Sequence, residues 1–171
     1  MSTTNLPRLT PRDFTILETM LADHLGGDEM LISAIRKKLK FAQIVFADDL
    51  PADVVTLGSP AAFTVARQWP QERRLVPIEQ YVPGQDHQTL ASLRGVGLLG
   101  QSEGDSVELG YGTRVECLEI HKVLYQPEAE IKAGNKPMGV HLASSRSESR
   151  PSLVVRPRHL PEDDPDGPSA A

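Results

Sequence analysis

The chain is poor in the residues that most site chemistries require. Its one cysteine, Cys117, cannot close an internal disulfide, which fits a reducing compartment. Five histidines (His24, His87, His121, His141 and His159) are scattered, none at metal-ligand spacing from another, so no zinc site is expected. Aromatic residues make up only 5% of the 171 positions, and no glycine-rich phosphate cradle occurs, which argues against nucleotide-kinase chemistry. Basic charge is not in excess. The net charge of −5 is the opposite of the broad basic face with which a nucleic-acid coat releases counterions. No apolar run approaches membrane-spanning length, and the opening MSTTNLPRLTPRDF lacks a basic region followed by an apolar core. The expectation is a cytoplasmic protein that needs no metal or cofactor and does not meet a membrane.

A nucleophile pair is excluded in the same way. Cys117, Glu119 and His121 share one face of a strand-like run by alternation. Residues four apart in a strand are separated by ~13 Å, too far for a cysteine and histidine to exchange a proton. Cys117 reads as a small packing residue, and the chain is expected not to be an enzyme.

What is present begins with two helical patterns. Residues 1–9 read as a flexible leader, and Thr10 then offers a capping hydroxyl, Pro11 a preset first helical position, and Asp13 a carboxylate near the positive end of the dipole. Ile16, Leu17, Met20, Leu21 and Leu25 recur at helical spacing before Gly26-Gly27 stops the helix. Asp28 and Glu29 open a second helix with the apolar set Met30, Leu31, Ile35, Leu39, Ile44 and Val45. So short a connection predicts an antiparallel helical hairpin over 10–50, closed by Pro51. Asp28 and Glu29 fall near its tip. Two carboxylates there could hold a Mg²⁺, but as first-turn acids they equally satisfy the helix dipole. The basic run Arg36, Lys37, Lys38 and Lys40 is either a solvated face or a contact for nucleic acid or an acidic protein surface, and the solvated face accounts for it with less.

From Asp53 the period changes to that of strands. Val54-Val55-Thr56, Ala62 to Ala66 and Leu75 to Val82 read as strands, with Pro77 demanding an edge or a bulge. Ser92 to Pro127 follows as a short helix capped by Ser92 and stopped at Gly100, then a hairpin of Val107-Glu108-Leu109 and Val115 to Leu124 across Gly110-Tyr111-Gly112. The order predicts an α+β fold: the helical hairpin, then an antiparallel β-sheet domain over 51–131 with one short helix. Residues 132–171 carry many Pro, Ser, Gly and Arg residues and an acidic end, and are expected to remain a disordered tail in which Leu153-Val154-Val155 is the one apolar patch.

The stretch from Ser92 resembles the C-terminal domain of the GreA/GreB transcription elongation factors, in Ser92, Leu98-Leu99-Gly100, Gly104-Asp105 and the late strand at Leu118-Glu119-Ile120. Within that superfamily the chain is more similar to the regulator of nucleoside diphosphate kinase. Pro51-Ala52-Asp53-Val54-Val55-Thr56, Ser59 and Leu124-Tyr125-Gln126-Pro127-Glu128-Ala129 stand as in that subfamily. The resemblance covers about residues 10 to 131. It implies an FKBP-like sheet domain that docks near the secondary channel of RNA polymerase, and an arm shorter than the Gre arm, too short to stimulate transcript cleavage. It further implies competition with Gre-type factors. The polymerase-facing turn of those factors corresponds here to Ser92, Leu93 and Arg94, without the proline that follows the serine there, and with Val96 where an arginine is common. The subfamily name leaves a second possibility, an interaction module acting on nucleoside diphosphate kinase or another metabolic enzyme. An FKBP-like fold raises a third, prolyl isomerisation, for which one Trp, three Tyr and four Phe are a thin supply of pocket aromatics. No groove-reading helix is recognisable, so any contact with DNA is expected to be weak and sequence-independent.

Overall fold

Local chemistry starts the helices where the sequence predicts. In the computed structural model, which describes residues 5–23 and 27–134, the Asp13 amide donates to Thr10 Oγ1 at 3.1 Å and opens α1 (Pro11–Asp23). Asp28 Oδ1 accepts the amides of Met30 at 2.9 Å and Leu31 at 3.4 Å and caps α2 (Glu29–Phe41). Leu25 and Gly26 lie outside the described residues. The second helix ends earlier than its apolar pattern suggests. Ile44 belongs to a short strand, β2 (Gln43–Ile44), and Val45 follows it, because the chain turns extended at Ala42 to pair with β1 (Arg8–Leu9). This pairing corrects the expected leader. Leu9 is fully buried and Pro7 accepts the Gln43 amide, whereas residues 1–4 lie outside the described part.

The second half forms a five-stranded sheet from β3 (Pro60–Val65), β4 (Gln71–Val76), β5 (His87–Thr89), β6 (Ser106–Tyr111) and β7 (Arg114–Val123), in the order β5-β4-β3-β7-β6. Most neighbours run antiparallel, but β4 and β5 are parallel, so the sheet is mixed. Pro77 ends β4 at Val76, since proline cannot donate to a continuing ladder, and a single 3₁₀ turn (Ile78–Gln80) occupies what the sequence offers as strand. The apolar run Val54-Val55-Thr56 is likewise no strand. It makes one isolated bridge, Val54 to Ser102, and is otherwise buried loop. The register shift between Ala62 and Phe63 leaves His121 without an opposite residue, and Phe63 meets Ile120 directly across the pair. Both are almost fully buried, each side chain contributing ~2 kcal/mol by leaving water.

Between the sheet's hairpins lies α3 (Leu93–Leu98). A Cβ on Gly95 would come within 2.0 Å of the Thr89 carbonyl oxygen, so only glycine lets this helix lie against β5. Gly100 ends the segment at φ +78°, where its amide bonds Val55 and its carbonyl accepts from Arg8. The last described element, α4 (Pro127–Lys132), closes the domain expected over 51–131 and overlaps the expected tail only at Lys132. Residues 135–171, including Leu153-Val154-Val155, lie outside the described part. Leu17, Leu31 and Ile35 of the two long helices join Leu9, Phe63, Leu98, Leu118 and Ile120 in one hydrophobic cluster. The helix pair and the sheet therefore share a core. The arm drawn over 10–50 is not an independent unit.

Candidate interaction surface

The three residues that stand where a polymerase-facing turn would be have separate fates. Ser92 caps α3, its Oγ accepting the Gly95 amide at 3.0 Å and the Gln88 Nε2 at 2.8 Å while donating to the Thr89 carbonyl at 2.7 Å. Its hydroxyl is fully engaged. Leu93 is buried in the core. Ser92 is half-buried, and Arg94 carries the one charge of the three. Its Nη2 contacts Glu116 Oε2 on β7 at 3.1 Å, with the arginine side chain 37% exposed. Tyr111 stands beside this pair, and burial pushes its phenol up, partly opposed by the Arg94 charge.

The two acidic candidates act at a helix start. Asp28 is engaged as the cap of α2, and Glu29 stands exposed in the first turn. Among the described residues no group of three or more His, Cys, Asp or Glu is placed to hold a metal ion. The basic run divides. Arg36, Lys37 and Lys40 are exposed, with the Lys40 ammonium 5.4 Å from the Phe41 ring centre. Lys38 is buried instead, and its ammonium donates to the Gly97 carbonyl at 3.0 Å and to that of Leu99. These are carbonyls at the C-terminal end of α3, where positive charge is favoured. Burial pushes Lys38 down to about 7. At the other end of α2, Met30 Sδ receives the Gly112 amide at 3.2 Å. The helix therefore lies along the sheet domain from the β6–β7 turn to the end of α3.

A second polar centre escaped the sequence reading. Gln126 Nε2 donates to the Pro51 carbonyl at 2.9 Å and the Val54 carbonyl at 2.8 Å, tying the start of α4 to the entry of the sheet domain. Thr56 Oγ1 donates to Glu128 Oε2 at 2.6 Å. With that proton engaged, the 3.1 Å contact between Thr56 Oγ1 and Ser59 Oγ has Ser59 donating. Asp13 faces the same centre and is 1% exposed. Burial, and then repulsion by Glu128, push Asp13 up to about 6; Arg12, the Thr10 hydroxyl and the Leu57 amide offset part of this. Thr56 and Ser59 have no exposed surface, so no substrate can reach these hydroxyls. The centre is a fastening. It joins the segments 51–59 and 124–129, the two that carry the kinase-regulator resemblance, and so accounts for both motifs as parts of the fold. The sequence signal was present in those paired motifs, but nothing local indicated that they meet.

The architecture is thus a mixed α+β one in which two helices lie on a five-stranded sheet. No family model and no curated protein matches the sequence. Among solved structures it is similar to the prokaryotic transcription elongation factor GreA/GreB from Nitrosomonas europaea, at 23% identity and a TM-score of 0.53, over 71% of this chain and 100% of that one. It is also similar to GreA factor homolog 1 of Thermus thermophilus (16% identity, TM-score 0.35, 70% and 99% of the two chains) and to Gfh1 of Thermus aquaticus (16%, 0.38, 68% and 97%), both too distant in superposition to carry an argument. The Nitrosomonas likeness establishes a GreA/GreB-like fold.

Proposed function

We propose that this chain is a transcription elongation regulator that binds RNA polymerase near its secondary channel through an FKBP-like sheet domain. The observation that carries the reading is the fold likeness over the whole length of a GreA/GreB elongation factor. Fold alone does not confer function, and the resemblance of Ser92, Leu98-Leu99-Gly100 and Gly104-Asp105 to the same factors supports the assignment independently. The helix pair occludes and does not catalyse. Each long helix has 13 residues, so it spans only ~20 Å. Asp28 is engaged as a cap, and among the described residues no group of three or more His, Cys, Asp or Glu is placed to hold a metal ion. The protein acts in the cytoplasm, is not an enzyme, and competes with longer-armed factors. Contact with nucleic acid is secondary to the polymerase contact. Control of nucleoside diphosphate kinase takes second place, because the residues behind that resemblance fasten α4 to the sheet.

Capture of core RNA polymerase on the immobilised full chain, with a longer-armed Gre factor as competitor, tests the reading. Saturable capture that the competitor displaces, without transcript cleavage in a paused complex, is the expected result. Absence of capture at micromolar concentrations overturns it.

A further inference from the structure

Paired positions on three strands set up a cleft at one end of the sheet. Arg74 of β4 pairs with Pro60 of β3 on one side and with His87 of β5 on the other. Paired residues turn their side chains to the same face, and neighbouring strands lie ~4.8 Å apart, so the three form a row. The Leu124 amide donates to the Pro60 carbonyl at 2.9 Å and carries the row on to the residue just beyond β7. With Glu72, Arg73, Gln85 and Asp86, these four line a cleft of about 490 Å³, a volume that suits a small molecule.

Two donors in this cleft are left over. Arg73 is committed, because its Nε donates to Gln71 Oε1 at 3.0 Å and its Nη1 to the His87 carbonyl at 3.5 Å. The Arg74 guanidinium forms no ion pair and no hydrogen bond among the described residues. Beside it, His87 accepts the Val82 amide at Nδ1, 3.3 Å away. A ring nitrogen that accepts carries no proton, so the neutral imidazole holds its proton on Nε2. That N–H has no partner among the described residues either. Glu72 lies two residues before Arg74 on the same face, ~6.6 Å along the strand, and makes no ion pair with it.

We infer that this cleft binds a small organic molecule through one anionic group, a phosphate or a carboxylate held between the Arg74 guanidinium and His87 Nε2. Pro60 and Leu124 supply an apolar wall for the rest of the molecule. Glu72 and Asp86 limit the charge that can enter. A nucleic-acid strand or a polyphosphate brings further negative groups against these two carboxylates, whereas a single group reaches Arg74 without doing so. The turn at Ser92, Leu93 and Arg94 contributes nothing to the cleft, so the inference stands apart from the polymerase reading.

Proton–nitrogen correlation spectra of the full chain test it, with inorganic phosphate and then acetate titrated in at constant ionic strength. The expected result is saturable shifts of the amides of residues 72–74 and 85–87 with millimolar affinity. Tighter binding of phosphate assigns the ligand as a phosphate ester, and tighter binding of acetate as a carboxylate. Arg74→Gln weakens binding at least about tenfold. Glu72→Gln, at an exposed position, strengthens it about twofold and keeps the test decisive if Arg74→Gln fails to fold. Absence of saturable shifts at tens of millimolar of either anion overturns the inference. So do shifts that Glu72→Gln and a folded Arg74→Gln both leave unchanged. A short single-stranded oligonucleotide that saturates the same amides at lower concentration would place a polyanion there and overturn it as well.

Discussion

Lys38, in the middle of α2, donates from its buried ammonium to the carbonyl oxygen of Gly97 at 3.0 Å, near the end of α3. One side chain thus fixes a long helix to the short helix beneath it, and α2 cannot move from the domain without exposing an unsatisfied carbonyl. Lys38→Ala removes the donor and leaves a void, and is expected to destabilise the fold by about 2–3 kcal/mol.

The same residue sets a pH dependence. Burial lowers Lys38 from 10.5 to about 7 in the folded state. Between those values the unfolded chain binds the extra proton, so the Lys38 contribution makes stability rise with pH from about 7 towards 10.5. Urea unfolding at pH 7 and pH 9 should show a higher midpoint at pH 9, and Lys38→Met should abolish that rise. An equal rise in the variant would show that another group is responsible.

Asp13 has the opposite sign. Burial and Glu128 raise it from 3.8 to about 6, so between those values the folded chain holds the extra proton. Its contribution is fully present at low pH and is lost as pH rises through about 6. The two buried groups together cost most between pH 6 and 7. Asp13→Asn, which keeps the shape without the charge, is expected to raise stability at pH 7 by on the order of 1–2 kcal/mol and to flatten the profile between pH 4 and 6. A loss of stability at pH 7 would mean that the Asp13 charge is balanced by its surroundings.

The turn from β3 to β4 offers a simpler test. Ala66 at φ +49° and Arg67 at φ +59° both occupy the left-handed region, and the Gln68 amide closes the turn on Val65 at 2.9 Å. Glycine avoids the Cβ clash that an ordinary side chain meets there. Arg67→Gly is expected to stabilise the fold by about 0.5–1 kcal/mol, read as a rise in thermal midpoint.

Features with local causes were legible in the sequence. Thr10 and Ser92 cap the helices they were read to cap, Asp28, read as a first-turn acid, proves to be the cap of α2, Gly100 adopts the left-handed conformation expected of it, and the final hairpin falls within a few residues of its pattern. What stayed hidden depends on distant partners. The Gly97 carbonyl that Lys38 meets is 59 positions away, and the Val54 carbonyl that Gln126 meets is 72 positions away. A buried lysine inside a run of exposed basic residues has the same helical spacing as a solvated one. Similarly, Ile44 and Val45 continue the apolar period of α2, and only their pairing with β1 removes them from it. Within the candidate turn, burial separates Leu93 from Arg94, and that depends on what packs against α3 rather than on the local pattern.

That separation defines the last prediction. The Arg94–Glu116 pair is partly exposed, so its net contribution to folding is small, ~0.5 kcal/mol or less. Ser92 and Leu93, by contrast, hold α3 in place, and their substitution would weaken any function by weakening the domain. Arg94→Ala should leave the urea midpoint nearly unchanged while lowering polymerase capture several-fold, because the guanidinium is the one charged and partly exposed group of the three. Glu116→Gln frees Arg94 from its ion pair without removing it and should preserve capture or increase it. Undiminished capture by Arg94→Ala would remove this turn from the interface, and the exposed residues Arg36, Lys37 and Lys40 would be the next to substitute.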